Sequence, residues 1–148
     1  MILYLDTSAF VPLLVNEPTT PTCRDLWDQA DSICSTRLLY VEAAAAVAQA
    51  ARSGRLDEAE LNDALLLGDD YWREVEVLDI DDLLMRQAAH AAGTFGLRGY
   101  DATHCATHCA AAARIADRDL VAVSGDQRLL ASWHELGLAT FDPAAARG

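Results

Sequence analysis

The chain has 148 residues, of which 52% are hydrophobic and 23% charged, a composition typical of one ordinary globular domain and not of a disordered chain. Its 11 basic and 23 acidic residues give a net charge of −12, which repels nucleic-acid phosphates if it is spread evenly. It is not spread evenly, because residues 57–82 carry −10 and the rest of the chain only −2.

The basic residues and the cysteines exclude several kinds of catalytic chemistry and indicate the cellular compartment. All basic residues are arginine, so P-loop phosphate binding and Schiff-base chemistry, which need a lysine, are excluded. The four cysteines form no CxxC pair and no charged-then-apolar leader is present, which predicts a reduced, cytoplasmic protein. No apolar run approaches the roughly 20 residues that span a bilayer, so we expect no membrane segment.

The first half of the chain alternates short apolar runs with helical patterns. Residues 2–5 predict a buried strand that stops at Asp6, and residues 9–15 and 20–30 predict two helices. Residues 32–35 predict a second strand, after which Thr36 is expected to cap an alanine-rich helix over residues 37–52.

The second half continues the same alternation. A capping box at residues 57–60 predicts a helix to about residue 73. Further strands are predicted at residues 75–80, 120–123 and 138–141, and further helices at residues 81–93, 101–116 and 126–136. This order favours a parallel sheet covered on both faces, and the absence of a linker favours one α/β domain over residues 1–148.

Four acids stand where the fold alone does not require them. Asp6 and Asp126 follow the carboxyl ends of two predicted parallel strands, the edge where open α/β sheets bind ligands. Glu42 lies on an apolar helix face, where a carboxylate needs a partner, and Asp101 begins a helix, whose dipole favours an anion.

Each acid also has a structural explanation. Asp6 suits a turn, Asp101 and Asp126 suit helix caps, and Glu42 could pair with an arginine such as Arg98. Four acids converging at one edge are harder to explain in this way, because they repel one another unless cations neutralise them. An all-oxygen cluster suits Mg²⁺ or Mn²⁺.

At this point the chain resembles the PIN domain, and more narrowly the VapC toxins of VapBC toxin–antitoxin systems. The matching segments are residues 5–9 (LDTSA), Glu42 in the helix after the second strand, residues 100–104 (YDATH) and residues 123–130 (VSGDQRLL). Together they cover almost the whole chain, and the ordered set is specific although each segment alone is weak.

The resemblance implies a three-layer α/β/α sandwich with a four- or five-stranded parallel sheet, a homodimer, and a ribonuclease that depends on Mg²⁺ or Mn²⁺. Asp6, Glu42, Asp101 and Asp126 would be its catalytic, metal-binding acids. Water would attack the RNA, leaving a 5′-phosphate and a 3′-hydroxyl.

The resemblance also implies partners for the acids. Ser124 and either Thr7 or Ser8 would hydrogen-bond the acids or a metal-bound water. A VapB-like antitoxin would block the acidic pocket with a tail that carries arginine.

One segment departs from the family pattern. The tandem Ala-Thr-His-Cys unit of residues 102–109 lies in an interval that is about one helical turn longer than the family leads us to expect. We interpret it as a duplication that adds a turn to the helix, with little rotation of its apolar face. Its histidines and cysteines have zinc-capable spacing, but one short helix closes a tetrahedron poorly, so we favour packing for His104.

Two other functions stay open at this point. A non-catalytic PIN-like module could bind a protein or RNA without cutting it, although the presence of all four acids favours the enzyme. The second is a phosphatase-like hydrolase that uses Asp6 as its nucleophile. Such enzymes place a second aspartate two residues further on and use a lysine, and this chain has neither. The tryptophans are predicted to pack in the core or at a dimer interface, and the candidates for RNA-backbone contact are Arg86, Arg98, Arg114, Arg118 and Arg128.

Overall fold

The structure is a computed structural model and describes residues 1–115 and 119–145. Its strands are β1 (Ile2–Leu5), β2 (Ser32–Thr36), β3 (Val75–Leu78), β4 (Leu120–Val123) and β5 (Thr140–Phe141). Its helices are α1 (Thr7–Leu14), α2 (Thr20–Gln29), α3 (Leu38–Arg52), α4 (Glu58–Trp72), α5 (Asp82–Phe95), α6 (Gly99–Arg114) and α7 (Gln127–Glu135).

The five strands form one parallel sheet in the order β3-β2-β1-β4-β5. Alternate residues of β1 enter different cores: Leu3 and Leu5 pack with α1, α2 and α3, whereas Tyr4 packs with α5, α6 and α7. Helices therefore cover both faces of the sheet, as the near-continuous apolar strands require. The α/β/α fold predicted from the sequence is confirmed, with five strands.

The three tryptophans pack within the protein. Trp133 is fully buried beside Tyr4, Trp27 contacts Phe10 and Tyr71, and Trp72 lies against Tyr40. None of the described helices is both long enough and apolar enough to cross a membrane.

Several predicted boundaries are wrong. Thr36 does not cap α3: it is the last residue of β2, its hydroxyl is buried without a hydrogen bond from the described residues, and Arg37 occupies the cap position. Helix α6 begins at Gly99, so Asp101 lies in its first turn instead of opening it. Strand β5 has only two residues, because only its end pairs with β4. The predicted end of α6 at residue 116 lies outside the described residues.

Candidate active site

The reversal of strand order brings two of the acids together. The chain proceeds from β1 through β2 to β3 on one side of the sheet and through β4 and β5 on the other, so the order reverses between β1 and β4. Leu5 pairs with Val123 at the carboxyl ends of these strands, and the Asp6 amide donates to the Val123 carbonyl at 3.1 Å. A crevice opens at such a point, and it is where open α/β sheets bind ligands.

Asp6 is held by hydroxyl groups from both loops. Its side chain is only 7% exposed, and Oδ2 accepts hydrogen bonds from the Ser8 hydroxyl at 2.6 Å and the Ser124 hydroxyl at 2.9 Å. The Ser8 amide also donates to Oδ2 at 3.3 Å, which makes Asp6 the N-cap of α1. These donors compensate the cost of burying a carboxylate.

Asp126 is tied to the same network through its backbone. Its amide donates to the Ser124 hydroxyl at 2.9 Å, and its Oδ1 accepts from the amides of Arg128 and Leu129, so that it caps α7. Ser124 therefore links the two acids, and the Gly125 amide donates to the Ser8 hydroxyl at 2.7 Å. Thr7, the alternative to Ser8 in the sequence prediction, contacts a histidine, with Oγ1 3.4 Å from His104 Nε2.

Glu42 reaches this edge from α3 and pairs with His104 of α6. The His104 Nε2 atom lies 2.9 Å from Glu42 Oε1 and 3.6 Å from Asp6 Oδ1, and its Nδ1 lies 3.0 Å from the Tyr4 hydroxyl. Burial lowers the pKa of His104, but the hydrogen bond to Glu42 and the charges of the nearby acids outweigh it and raise the pKa above its usual value. Glu42 thus has a histidine partner and not Arg98.

Asp101 faces the same group of charges. Partial burial raises its pKa most, and the charges of Asp126, Asp6 and Glu42 raise it further, while His104 acts in the opposite direction. The electrostatic coupling means that the four acids share one local field although they come from four separate segments. Such mutual repulsion is the condition that a bound cation relieves.

The donor chemistry of this group fits a hard divalent cation. Four carboxylates from Asp6, Glu42, Asp101 and Asp126 supply only oxygen ligands, which Mg²⁺ and Mn²⁺ prefer. As the side chains stand, no three His, Cys, Asp or Glu side chains within residues 1–115 and 119–145 are gathered closely enough to hold a metal ion.

The tandem repeat does not form a zinc site among the described residues, because its parts face different surroundings. His104 lies in the acidic cluster, whereas His108 is buried in the core between the rings of Tyr4 and Trp133. Cys105 and Cys109 line a cavity between α5 and α6 together with His90. Whether the repeat lengthens α6, which has 16 residues, stays a prediction.

The candidate RNA-binding arginines lie at different distances from the four acids. Arg98 immediately precedes α6 and Arg128 lies in the first turn of α7, so both are close in sequence to a site acid, and both are exposed. Arg114 lies at the far end of α6, roughly 20 Å along the helix, and Arg86 lies on α5. Arg118 is outside the described residues.

Sequence reasoning missed Tyr4 and the role of His104 as the partner of Glu42, because those contacts join residues 62 or more positions apart.

Fold and site together define a class: a parallel α/β protein with helices on both faces of its sheet and with one buried and three partly buried carboxylates near the point where the strand order reverses. The PIN domain family profile matches residues 3–131. Ribonuclease VapC45 of Mycobacterium tuberculosis (strain CDC 1551 / Oshkosh) is 38% identical over 146 residues, which cover 96% of this chain and 99% of that protein. The chain therefore belongs to the PIN domain family, and within it to the VapC group.

Solved structures share the fold. PAE2754 from Pyrobaculum aerophilum superposes with a TM-score of 0.69 at 21% identity, covering 99% of this chain and 92% of its own. VapBC2 from Rickettsia felis, solved with a DNA fragment from the VapBC2 promoter, superposes with a TM-score of 0.61 at 15% identity, covering 96% of this chain and 98% of the matched chain. At these identities the likeness concerns the fold alone.

Proposed function

We propose that this protein is an endoribonuclease that depends on Mg²⁺ or Mn²⁺ and acts as the toxin of a VapBC-type pair. The observation that carries the proposal is the convergence of Asp6, Glu42, Asp101 and Asp126 at the reversal of strand order, with Asp6 fixed by two hydroxyls and Asp101 repelled by the others. The name of a 38% identical relative, Ribonuclease VapC45, supports the cleavage of RNA but does not bear on the metal.

The chain's own contribution to catalysis is to place oxygen ligands. Ser8 and Ser124 fix the position of Asp6, the backbone of α7 fixes Asp126, and His104 fixes Glu42. Asp6, Glu42, Asp101 and Asp126 would hold a divalent cation, which when bound would lower the pKa of water and offset negative charge on the phosphate. In the proposed reaction water attacks the phosphorus and the 3′-oxygen leaves, so the products would carry a 5′-phosphate and a 3′-hydroxyl, and the ribose 2′-hydroxyl would take no part.

RNA can approach despite the net charge of −12. The strongest acid excess, residues 57–82, covers α4 and the loops around β3, and most of its carboxylates are exposed to solvent. Beside the acid cluster stand two exposed arginines, Arg98 and Arg128, which suit contacts to the phosphates on either side of the cleaved bond. These two arginines therefore offer positive charge to RNA beside the acid cluster.

The test is cleavage of a mixed small-RNA substrate by purified protein with Mg²⁺, with Mn²⁺ or with EDTA. We expect cutting that depends on the metal, gives 5′-phosphate ends and is lost in Asp6→Asn. The matched control is Asp63→Asn, which makes the same change on the exposed surface of α4 and should cut like the wild type. Products that end in 2′,3′-cyclic phosphate would refute the mechanism. Equal inactivity of wild type and Asp6→Asn with both metals would favour a non-catalytic binding module.

We also propose a VapB-like antitoxin and a homodimer. The solved VapBC2 complex of R. felis supports such a partner, and an acidic pocket suits an arginine-bearing tail. Co-expression with a VapB-like antitoxin should give a complex without ribonuclease activity, and Asp6→Asn should weaken its binding. The molar mass of the isolated toxin by light scattering should be twice 16.0 kDa, and a monomeric mass at micromolar concentration would refute the dimer.

A further inference from the structure

A chain of three side chains crosses the carboxyl edge of the sheet and joins its two helix layers. Tyr4 lies on β1, His104 on α6 and Glu42 on α3, and the contacts are 3.0 Å from the Tyr4 hydroxyl to His104 Nδ1 and 2.9 Å from His104 Nε2 to Glu42 Oε1. Tyr4 and His104 are fully buried, so neither ring can move without disturbing the core. The buried His104 imidazole is therefore a fixed hydrogen-bond partner for the Glu42 carboxylate.

The His104 imidazole hydrogen-bonds only one of the two carboxylate oxygens of Glu42. Oε1 accepts the hydrogen bond from His104, and Oε2 accepts none from the described residues, although the side chain is only 20% exposed. A glutamate on a helix surface is otherwise free to adopt many rotamers, and ordering it on ligand binding costs conformational entropy. A carboxylate already held by one oxygen meets a cation with much of that ordering complete.

We propose that Tyr4 and His104 are positioning residues that hold the Glu42 carboxylate and thereby strengthen binding of the divalent cation, an inference that rests on the proposed function. His104 acts through Glu42 and is not itself a ligand, because Mg²⁺ and Mn²⁺ favour oxygen donors. The role of Tyr4 is to engage the far nitrogen, Nδ1, which leaves Nε2 to face the Glu42 carboxylate.

The test measures Mn²⁺ binding directly, by electron paramagnetic resonance at one fixed pH and without RNA. His104→Leu removes both ring nitrogens, and we expect it to weaken Mn²⁺ about 10-fold to 100-fold, the usual cost of losing a hydrogen-bond partner of a metal ligand. His104→Gln keeps an N–H donor for Glu42 and should recover most of the affinity. Tyr4→Phe removes one hydroxyl and should weaken binding about threefold.

Two controls separate positioning from packing. Tyr71→Phe removes the hydroxyl of a partly buried tyrosine that packs against Trp27 on α2, and it should leave Mn²⁺ affinity unchanged. Thermal unfolding without metal reports the stability of each variant. If His104 only packs, the folded variants His104→Gln and His104→Leu should bind Mn²⁺ as tightly as the wild type.

The outcomes distinguish this inference from the proposed function. If Mn²⁺ binds the wild type and not Asp6→Asn, but binds His104→Gln, His104→Leu and Tyr4→Phe alike, then positioning is refuted and the nuclease proposal stands. If His104→Leu does not fold, unchanged affinity in Tyr4→Phe is sufficient to refute it. If Mn²⁺ binding is the same in wild type and Asp6→Asn, the metal site fails, and both proposals fail with it.

Discussion

His108 should make the protein sensitive to mild acid. Its ring is 1% exposed, lies 5.1 Å from the Tyr4 ring and 5.2 Å from the Trp133 ring, and has no hydrogen-bond partner for either nitrogen among the described residues. Burial lowers its pKa from 6.5 to about 4. The unfolded chain therefore binds this proton more strongly, so the contribution of His108 to stability is complete above pH 6.5 and declines as the pH falls towards 4.

The size of the effect follows from these two values. Between about pH 7.5 and about pH 5, the linkage relation gives a loss of about 2 kcal/mol from His108, which corresponds to a fall in Tm of roughly 4–8 °C for a chain of this length. At the higher pH, His108→Leu removes two unsatisfied buried nitrogens, worth about 1–3 kcal/mol, and loses two aromatic contacts of about 0.5–1.5 kcal/mol each. These terms nearly cancel, so the variant should gain its advantage only in acid.

The assay is urea unfolding of wild type and His108→Leu at both pH values, with His134→Leu as the control at an exposed position. His104 and Asp101 have raised pKa values and so favour the folded state as the pH falls, but they are present in every protein compared. The difference between wild type and His108→Leu should therefore change by about 2 kcal/mol between the two pH values. A difference that does not depend on pH would refute the reasoning.

Three further predictions concern the site and one helix end. Asp101→Asn should raise the Tm of the metal-free protein at neutral pH, because burial and the nearby carboxylates raise the pKa of Asp101 and so disfavour its charged form; the gain should vanish in acid, where the carboxyl is protonated, and a lower Tm would contradict it. Ser124→Ala should slow RNA cleavage roughly tenfold, since it removes one of the two hydroxyls that hold Asp6 and leaves the Asp126 amide without its acceptor; unchanged cleavage would refute this role. Gly96→Ala should cost about 1 kcal/mol in urea unfolding because Gly96 ends α5 at φ 64°, whereas Gly93→Ala, inside the helix with open space, should stabilise by about 0.5–1 kcal/mol; equal effects would contradict the argument.

The parts of the fold that could be predicted from the sequence are those with local causes. The apolar runs at β1 and β4 and the turns after them place Asp6 and Asp126 at one edge, and pairing of Leu5 with Val123 produces that arrangement. The alternation of strands and helices was sufficient to predict the α/β/α layers, since parallel strands are joined by crossover connections that are usually helices. Helix boundaries were less accurate: a threonine before a helical pattern favours a cap, yet Thr36 stays in the sheet because β2 pairs with β3 as far as Leu78.

The site residues that were missed depend on contacts distant in sequence. Nothing near Glu42 indicates a histidine partner, and nothing near Tyr4 indicates that its hydroxyl meets an imidazole 100 positions away. The repeat shows the same limit, since two identical tetrapeptides place one histidine among carboxylates and the other among aromatic rings. Four residues advance a helix by about 6 Å, and that distance is enough to move from a polar edge into an apolar core.

The capping roles of Asp6 and Asp126 affect how relatives of this chain are to be judged. Each carboxylate caps a helix, α1 or α7, so a descendant that lost catalysis would still be selected to keep both for folding. Glu42 and Asp101 provide no such cap, and the repulsion at Asp101 makes its loss favourable once no cation is bound. Under the proposed function, survival of the second pair, more than of the first, is therefore the sign expected of a lineage that still cuts RNA.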